Sequence, residues 1–90
     1  MPIYRNQTGL KLRLRVGANV NDATVTLIKY KKPSGNTGSW VASKENNGLS
    51  YVTTGTDLDE SGLWQLQAYV ETPEWTAHGK IGVIQITPSL

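Results

Sequence analysis

Cysteine is absent from the 90 residues, so no disulfide and no cysteine metal site holds this fold together. The one histidine, His78, has no evident partner for acid–base or nucleophilic chemistry, and no phosphate-binding glycine loop occurs. No apolar run approaches membrane-spanning length, and the opening MPIYRNQTG lacks a basic-then-apolar targeting pattern. Synthesis in the cytosol is therefore expected, with no membrane partner. Asn6-Gln7-Thr8 matches a glycosylation triplet, a match expected by chance. Helical periodicity, internal repeats and low-complexity segments are missing too. The expectation is a protein that is not an enzyme and takes no cofactor or metal.

What is present suits one small soluble domain over residues 1–90, with 38% apolar and 18% charged residues. The modest net charge of +2 is unevenly laid out. Residues 1–44 carry Arg5, Lys11, Arg13, Arg15, Lys29, Lys31, Lys32 and Lys44 against Asp22. Residues 45–90 carry Lys80 against Glu45, Asp57, Asp59, Glu60, Glu71 and Glu74. Such asymmetry bears on association rather than on fold.

Period-two alternation is clearest in GLKLRLRVG, where Leu10, Leu12, Leu14 and Val16 share one face and Lys11, Arg13 and Arg15 the other. ATVTLIKYKKP reads as a second strand with Ile28 and Tyr30 inward, and a bulge near Leu27 would bring Val25 into the core. PSGNTG is a turn. SWVAS turns Trp40 and Ala42 to one face, and LSYVTT does the same with Leu49 and Tyr51. GLWQLQAYV places Trp64, Leu66, Ala68 and Val70 inside and Gln65, Gln67 and Tyr69 outside. KIGVIQIT is apolar on both faces, so one face needs cover from residues 1–8 or from a neighbour. Residues 1–8 themselves read either as an edge strand or as an arm. Six or seven short strands between turns predict an antiparallel β-sandwich of about seven strands.

The stretch TDLDESGLW poses the question of whether its acids form a site or a corner. Thr56 and Asp57 each precede an acid by three residues, the spacing that caps one helical turn, and Gly62 ends it. A calcium loop needs more oxygen ligands at fixed spacings. Asp57, Asp59, Glu60, Gly62 and Trp64 therefore read as a structural corner. Asp59-Glu60-Ser61-Gly62-Leu63-Trp64 resembles the E–F corner of immunoglobulin-like domains, where an aromatic ring braces the turn. On that resemblance Trp40 falls at the strand-C tryptophan and Leu66 where antibody domains place a cysteine. Tyr30-Lys31-Lys32-Pro33-Ser34-Gly35, Gly38-Ser39-Trp40-Val41-Ala42, Asp57-Leu58-Asp59 and Gly62 to Val70, in that order, together resemble small immunoglobulin-like structural proteins of tailed bacteriophages and prophages. The resemblance implies a virion component placed on the capsid, neck, tail or baseplate. Its partners would be other virion proteins and copies of itself.

Three surfaces compete for function. Val41, Gln65, Gln67 and Tyr69 are expected on one uncharged face, the composition of a contact surface. Lys11, Arg13 and Arg15, joined by Lys29 and Lys31 if the first two strands pair, would form a basic face. It is read as solvated, with docking onto an acidic protein surface next and no nucleic acid expected. The loop Glu71–Gly79 carries Trp75 and His78. It could stack on a glycan in the alternative of a carbohydrate-binding or host-adhesion module, although Trp75 covering the end of the core is the simpler use.

Overall fold

The structure, a computed structural model, describes residues 2–17, 19–45 and 48–89. Among these residues the chain forms nine strands: β1 (Ile3–Tyr4), β2 (Lys11–Arg15), β3 (Val25–Lys31), β4 (Thr37–Val41), β5 (Ser43–Glu45), β6 (Gly48–Val52), β7 (Gly62–Glu71), β8 (Thr76–His78) and β9 (Gly82–Thr87). The larger sheet runs β1-β9-β7-β3-β4, with β8 also paired to β7, and the smaller runs β2-β6-β5. Ile28, Trp64, Leu66, Ala68, Val70 and Ile86 of the larger sheet meet Leu12 and Leu49 of the smaller in one core. The chain is all-β and sandwich-like.

Strand β7 organises the larger sheet. Its buried residues alternate as expected, with Trp64, Leu66, Ala68 and Val70 inward and Leu63, Gln65, Gln67 and Tyr69 outward. One edge pairs with β3 along Gln65–Glu71, and the other is shared between β8 and β9. Tyr69 faces His78 and Leu66 faces Gly82, so residues 79–81 of the return strand span residues 67 and 68 of β7. One extra residue is a β-bulge. The Gly79 N–H donates to the Ala68 carbonyl at 2.9 Å, and the Gln67 side-chain amide donates to the Gly79 carbonyl at 3.0 Å. β8 and β9 are thus two pieces of one bulged strand.

Four features depart from the sequence reading. First, β2 pairs with β6 and not with β3, which lies in the other sheet between β7 and β4. Second, β3 keeps an unbroken register from Val25 to Lys31 without a bulge at Leu27. Thr26 takes the inward place before Ile28 because its hydroxyl bonds the Ala42 carbonyl at 2.7 Å, and this turns Val25 and Leu27 outward. Third, the sheets are mixed: β1 runs parallel to β9, so residues 3–4 form an edge strand. Fourth, Trp40 stands on the edge strand β4, opposite Ile28, rather than on a central strand.

Four aromatic rings join the two sheets at one end. Trp64 is fully buried; the Trp40 ring lies 6.2 Å from it and stacks on Tyr51 of β6 at 4.9 Å. Tyr30 tilts against Trp40 at 4.7 Å and Trp64 at 5.6 Å. Offset and tilted contacts of this kind contribute about 0.5–1.5 kcal/mol each beyond their buried area. Gly38 makes the arrangement possible, since a Cβ there would run into the hydroxyl end of the Tyr30 ring. In an open strand Gly→Ala stabilises by roughly 0.5–1 kcal/mol. Here Gly38→Ala is expected to destabilise by about 1–3 kcal/mol, because the ring it strikes is held by two tryptophans. Chemical denaturation of Gly38→Ala, alone and with Tyr30→Leu, measures this. The loss should largely vanish in the Tyr30→Leu background.

Candidate functional site

The acidic segment after β6 is a tie between distant turns. Residues 55–58 form a turn rather than the capped helical turn expected from the spacing. Asp57 bonds upstream: its Oδ2 accepts from the Thr54 N–H at 2.8 Å, the Thr54 hydroxyl at 3.3 Å and the Tyr51 hydroxyl at 2.6 Å. Asp59 pairs with Lys32 Nζ at 2.9 Å, and Glu60 accepts from the Ser34 hydroxyl at 2.9 Å and the Ser34 N–H at 3.2 Å. These acids, expected to cap their own turn, instead fasten the β3–β4 hairpin. The Trp64 indole N–H donates to the Glu60 carbonyl at 2.9 Å, which fixes the ring beneath the corner. Gly62 starts β7 at φ +123°, and a Cβ there would lie 2.8 Å from Pro33 Cγ.

Electrostatics follow from these contacts. The hydrogen bond to Asp59 holds the Lys32 pKa above its ordinary value, and Lys32 Nζ sits 5.6 Å from the Trp64 ring centre. Burial, followed by the bond to Asp57, raises the Tyr51 phenol. Among the described residues, no three His, Cys, Asp or Glu side chains are placed to share a metal ion.

The outer face of the larger sheet is an exposed surface with contact chemistry. Its cross-strand rows are Val41–Leu27–Tyr69–His78, Ser39–Lys29–Gln67 and Thr37–Lys31–Gln65–Val83. Leu63, Ile81 and Val83 stay 60%, 58% and 60% exposed, and Val41 is 80% exposed at the far edge. Lys29, Lys31, Ser39, Gln65, Gln67 and Ile81 line a shallow groove of about 320 Å³ across it. The structure thus gathers Val41, Gln65, Gln67 and Tyr69 on one face, as expected. That face is not uncharged, because β3 contributes Lys29 and Lys31. Lys29 Nζ lies 4.2 Å from the Tyr69 ring centre, and His78 packs on the other side of the ring at 5.0 Å. Burial, followed by Glu71, raises the Tyr69 phenol. Gln67 is committed to the bulge at Gly79, so it is less free than Gln65 to meet a partner.

Leu63 and Val83 were not singled out from sequence. The signal was there in Leu63 being out of phase with Trp64 and Leu66, and in the doubly apolar last strand. The β1 strand pairs only with Ile86 and Thr87, leaving the outward side chains of β9 bare.

The other two surfaces are built differently. Lys11, Arg13 and Arg15 share the outer face of the smaller sheet without Lys29 and Lys31. Glu45 lies between two of them, 3.4 Å from Lys11 Nζ and 3.3 Å from Arg13 Nε. The Ser50 hydroxyl, then Lys11 and Arg13, lower the Glu45 pKa. In the β7–β8 turn Trp75 packs against the core, and the Thr72 hydroxyl accepts its N–H at 3.0 Å. His78 stands on the opposite, outward side beside Tyr69. Trp75 and His78 therefore do not face one ligand together.

Raised phenol and ammonium pKa values stabilise the fold fully below the unfolded values and lose that contribution as pH rises through the folded ones. Wild-type stability should accordingly fall above pH 10.0, the unperturbed tyrosine value. Tyr51→Phe should cost about 1 kcal/mol at neutral pH through the lost Asp57 bond. It should also decline less steeply in alkali, while Lys32 and Tyr69 leave part of the slope. Thermal unfolding of both proteins from pH 7 to 11 measures the difference.

Compared with protein-family models, curated proteins and solved structures, the chain matches none of them.

Proposed function

We propose that this chain is a non-enzymatic structural protein of a tailed-phage virion, immunoglobulin-like in topology, that works by protein–protein contact. The observation that carries the proposal is the bare outer face of the larger sheet, where Leu63, Ile81 and Val83 stand together beside Gln65, with Gln67 and Tyr69 further along the same face. Apolar side chains rimmed by amides, an aromatic ring and two lysines have the composition of an interface core with its rim. The histidine and the acids supply no competing site: His78 packs on Tyr69, and Asp57, Asp59 and Glu60 are engaged in the corner.

The topology is supported by strand order. β4-β3-β7-β9 follows the C′-C-F-G order of immunoglobulin sheets, and β2-β6-β5 follows B-E-D. In that alignment β3 takes the place of strand C and Trp40 lies on C′, one strand away from the position the sequence resemblance gave it. Trp64, bonded to the Glu60 carbonyl, serves as the aromatic of the corner. Other virion proteins are the proposed partners and the virion the proposed location, as a capsid decoration or a neck or tail attachment. The glycan-binding alternative draws no support from the packing of Trp75 against the core.

The test is incorporation of variants into particles from cells lacking the native copy. Val83→Lys and Gln65→Lys replace outward side chains and should change the melting temperature little. Each should nevertheless reduce the amount in purified particles at least about tenfold, the effect of roughly 1.4 kcal/mol at an interface. Trp75→Ala should lower stability yet leave the folded protein competent to assemble. Normal incorporation of both lysine variants would remove this face from assembly.

A further inference from the structure

Sheet edges, like faces, have to be covered, repelled or used. An exposed edge strand presents unpaired N–H and C=O groups, and natural proteins blunt such edges with charge, proline or shortness. Most edges here follow that rule. β2 carries Lys11, Arg13 and Arg15, β5 is three residues long with Lys44 and Glu45, and β1 is two residues long. β4 does not. Its five residues, Thr37-Gly38-Ser39-Trp40-Val41, carry neither charge nor proline, and β4 ends the larger sheet.

Hydrogen bonds flanking β4 show which of its groups are free. The Lys32 N–H donates to the Asn36 carbonyl at 2.8 Å, and the Ala42 N–H donates to the Thr26 carbonyl at 3.0 Å. Antiparallel bonding alternates along a strand, so residues 36, 38, 40 and 42 point their backbone groups at β3. The N–H and C=O groups of Thr37, Ser39 and Val41 point away from the sheet. All three residues are exposed.

We propose that β4 pairs antiparallel with β4 of a second copy about a two-fold axis at Ser39, joining the two larger sheets into one. In this register Ser39 meets Ser39 of the second copy, and Thr37 and Val41 exchange partners. Every outward N–H then finds an outward C=O. On the inner face Trp40 meets the partner strand at Gly38, over which that copy's own Tyr30 ring lies. On the outer face Thr37 and Val41 form a β-branched cross-strand pair, a favourable combination. No charged residue enters any of these pairs. The outer-face self-complementarity of the strand, Ser39 opposite Ser39 and β-branched Thr37 opposite β-branched Val41 with no charge in any pair, is what selects a second copy over a foreign strand. An isologous contact of this kind closes at two subunits. It is independent of the virion proposal and uses a different part of the molecule from Leu63, Ile81 and Val83.

Sedimentation velocity across a concentration series up to about 1 mM, with residue-resolved amide exchange, tests it. The expected result is a monomer–dimer equilibrium in which the Thr37, Ser39 and Val41 amides slow with concentration. Gly38 and Trp40, already bonded to β3, should not change. Val41→Lys should weaken the dimer at least about tenfold, by placing a lysine in each of two symmetric pairs. Ser39→Pro should do the same with the fold intact, because the N–H it removes is not used by β3. A strictly monomeric chain would overturn the proposal. So would a dimer whose protection appears instead at Val83 and Gln85, beyond the end of β1 on β9. Protection at β4 only on adding an extended apolar peptide would assign the edge to a foreign strand and equally reject a second copy.

Discussion

The indole of Trp64 sets the condition that the rest of the structure satisfies. A fully buried indole leaves a costly unsatisfied donor unless its N–H is bonded, and the acceptor here is the Glu60 carbonyl four residues before it. That bond requires the backbone to arrive at β7 through a tight corner. Gly62 supplies the positive φ, and Glu60 and Asp59 anchor the corner to Ser34 and Lys32. The same ring is covered by Trp40 and Tyr30, and Tyr51 carries the stack across to the smaller sheet. Without disulfides, a 90-residue sandwich relies on such a cluster to couple its two layers.

That construction also decides where function can reside. The acids after β6 are engaged with Tyr51, Lys32 and Ser34, and Trp75 lies against the core. What remains is broad surface: a sheet face with four exposed aliphatic side chains, Val41 among them, a basic face moderated by Glu45, and the uncharged edge strand β4. The face and the edge belong to the same sheet but present different chemistry, side chains in one case and backbone in the other. Under the two proposals the molecule would meet one neighbour through each.

Strand phase was legible in the sequence because burial alternates with period two wherever a sheet has one dry face. KLRLR and GLWQLQAYV gave their inward residues correctly for that reason. Sheet partnership was not legible. β2 and β3 both alternate lysine or arginine with apolar residues, and nothing local says that they enter different sheets. Lys29 and Lys31 therefore moved from the basic face to the face of Gln65 and Tyr69. The corner was recognised as a unit, but its bonds reach Lys32 and Ser34, more than twenty residues upstream. The role of Gln67 depends on a bulge across the strand pair, which the phase of β7 alone could not reveal.

Quantitative mass spectrometry of purified particles, counting this chain against the major capsid protein, tests the proposed role most directly. A fixed stoichiometry is expected, near that of the capsid protein for a shell decoration or a few copies per particle for a neck or tail position. Absence from clean particles would contradict a structural place in the virion.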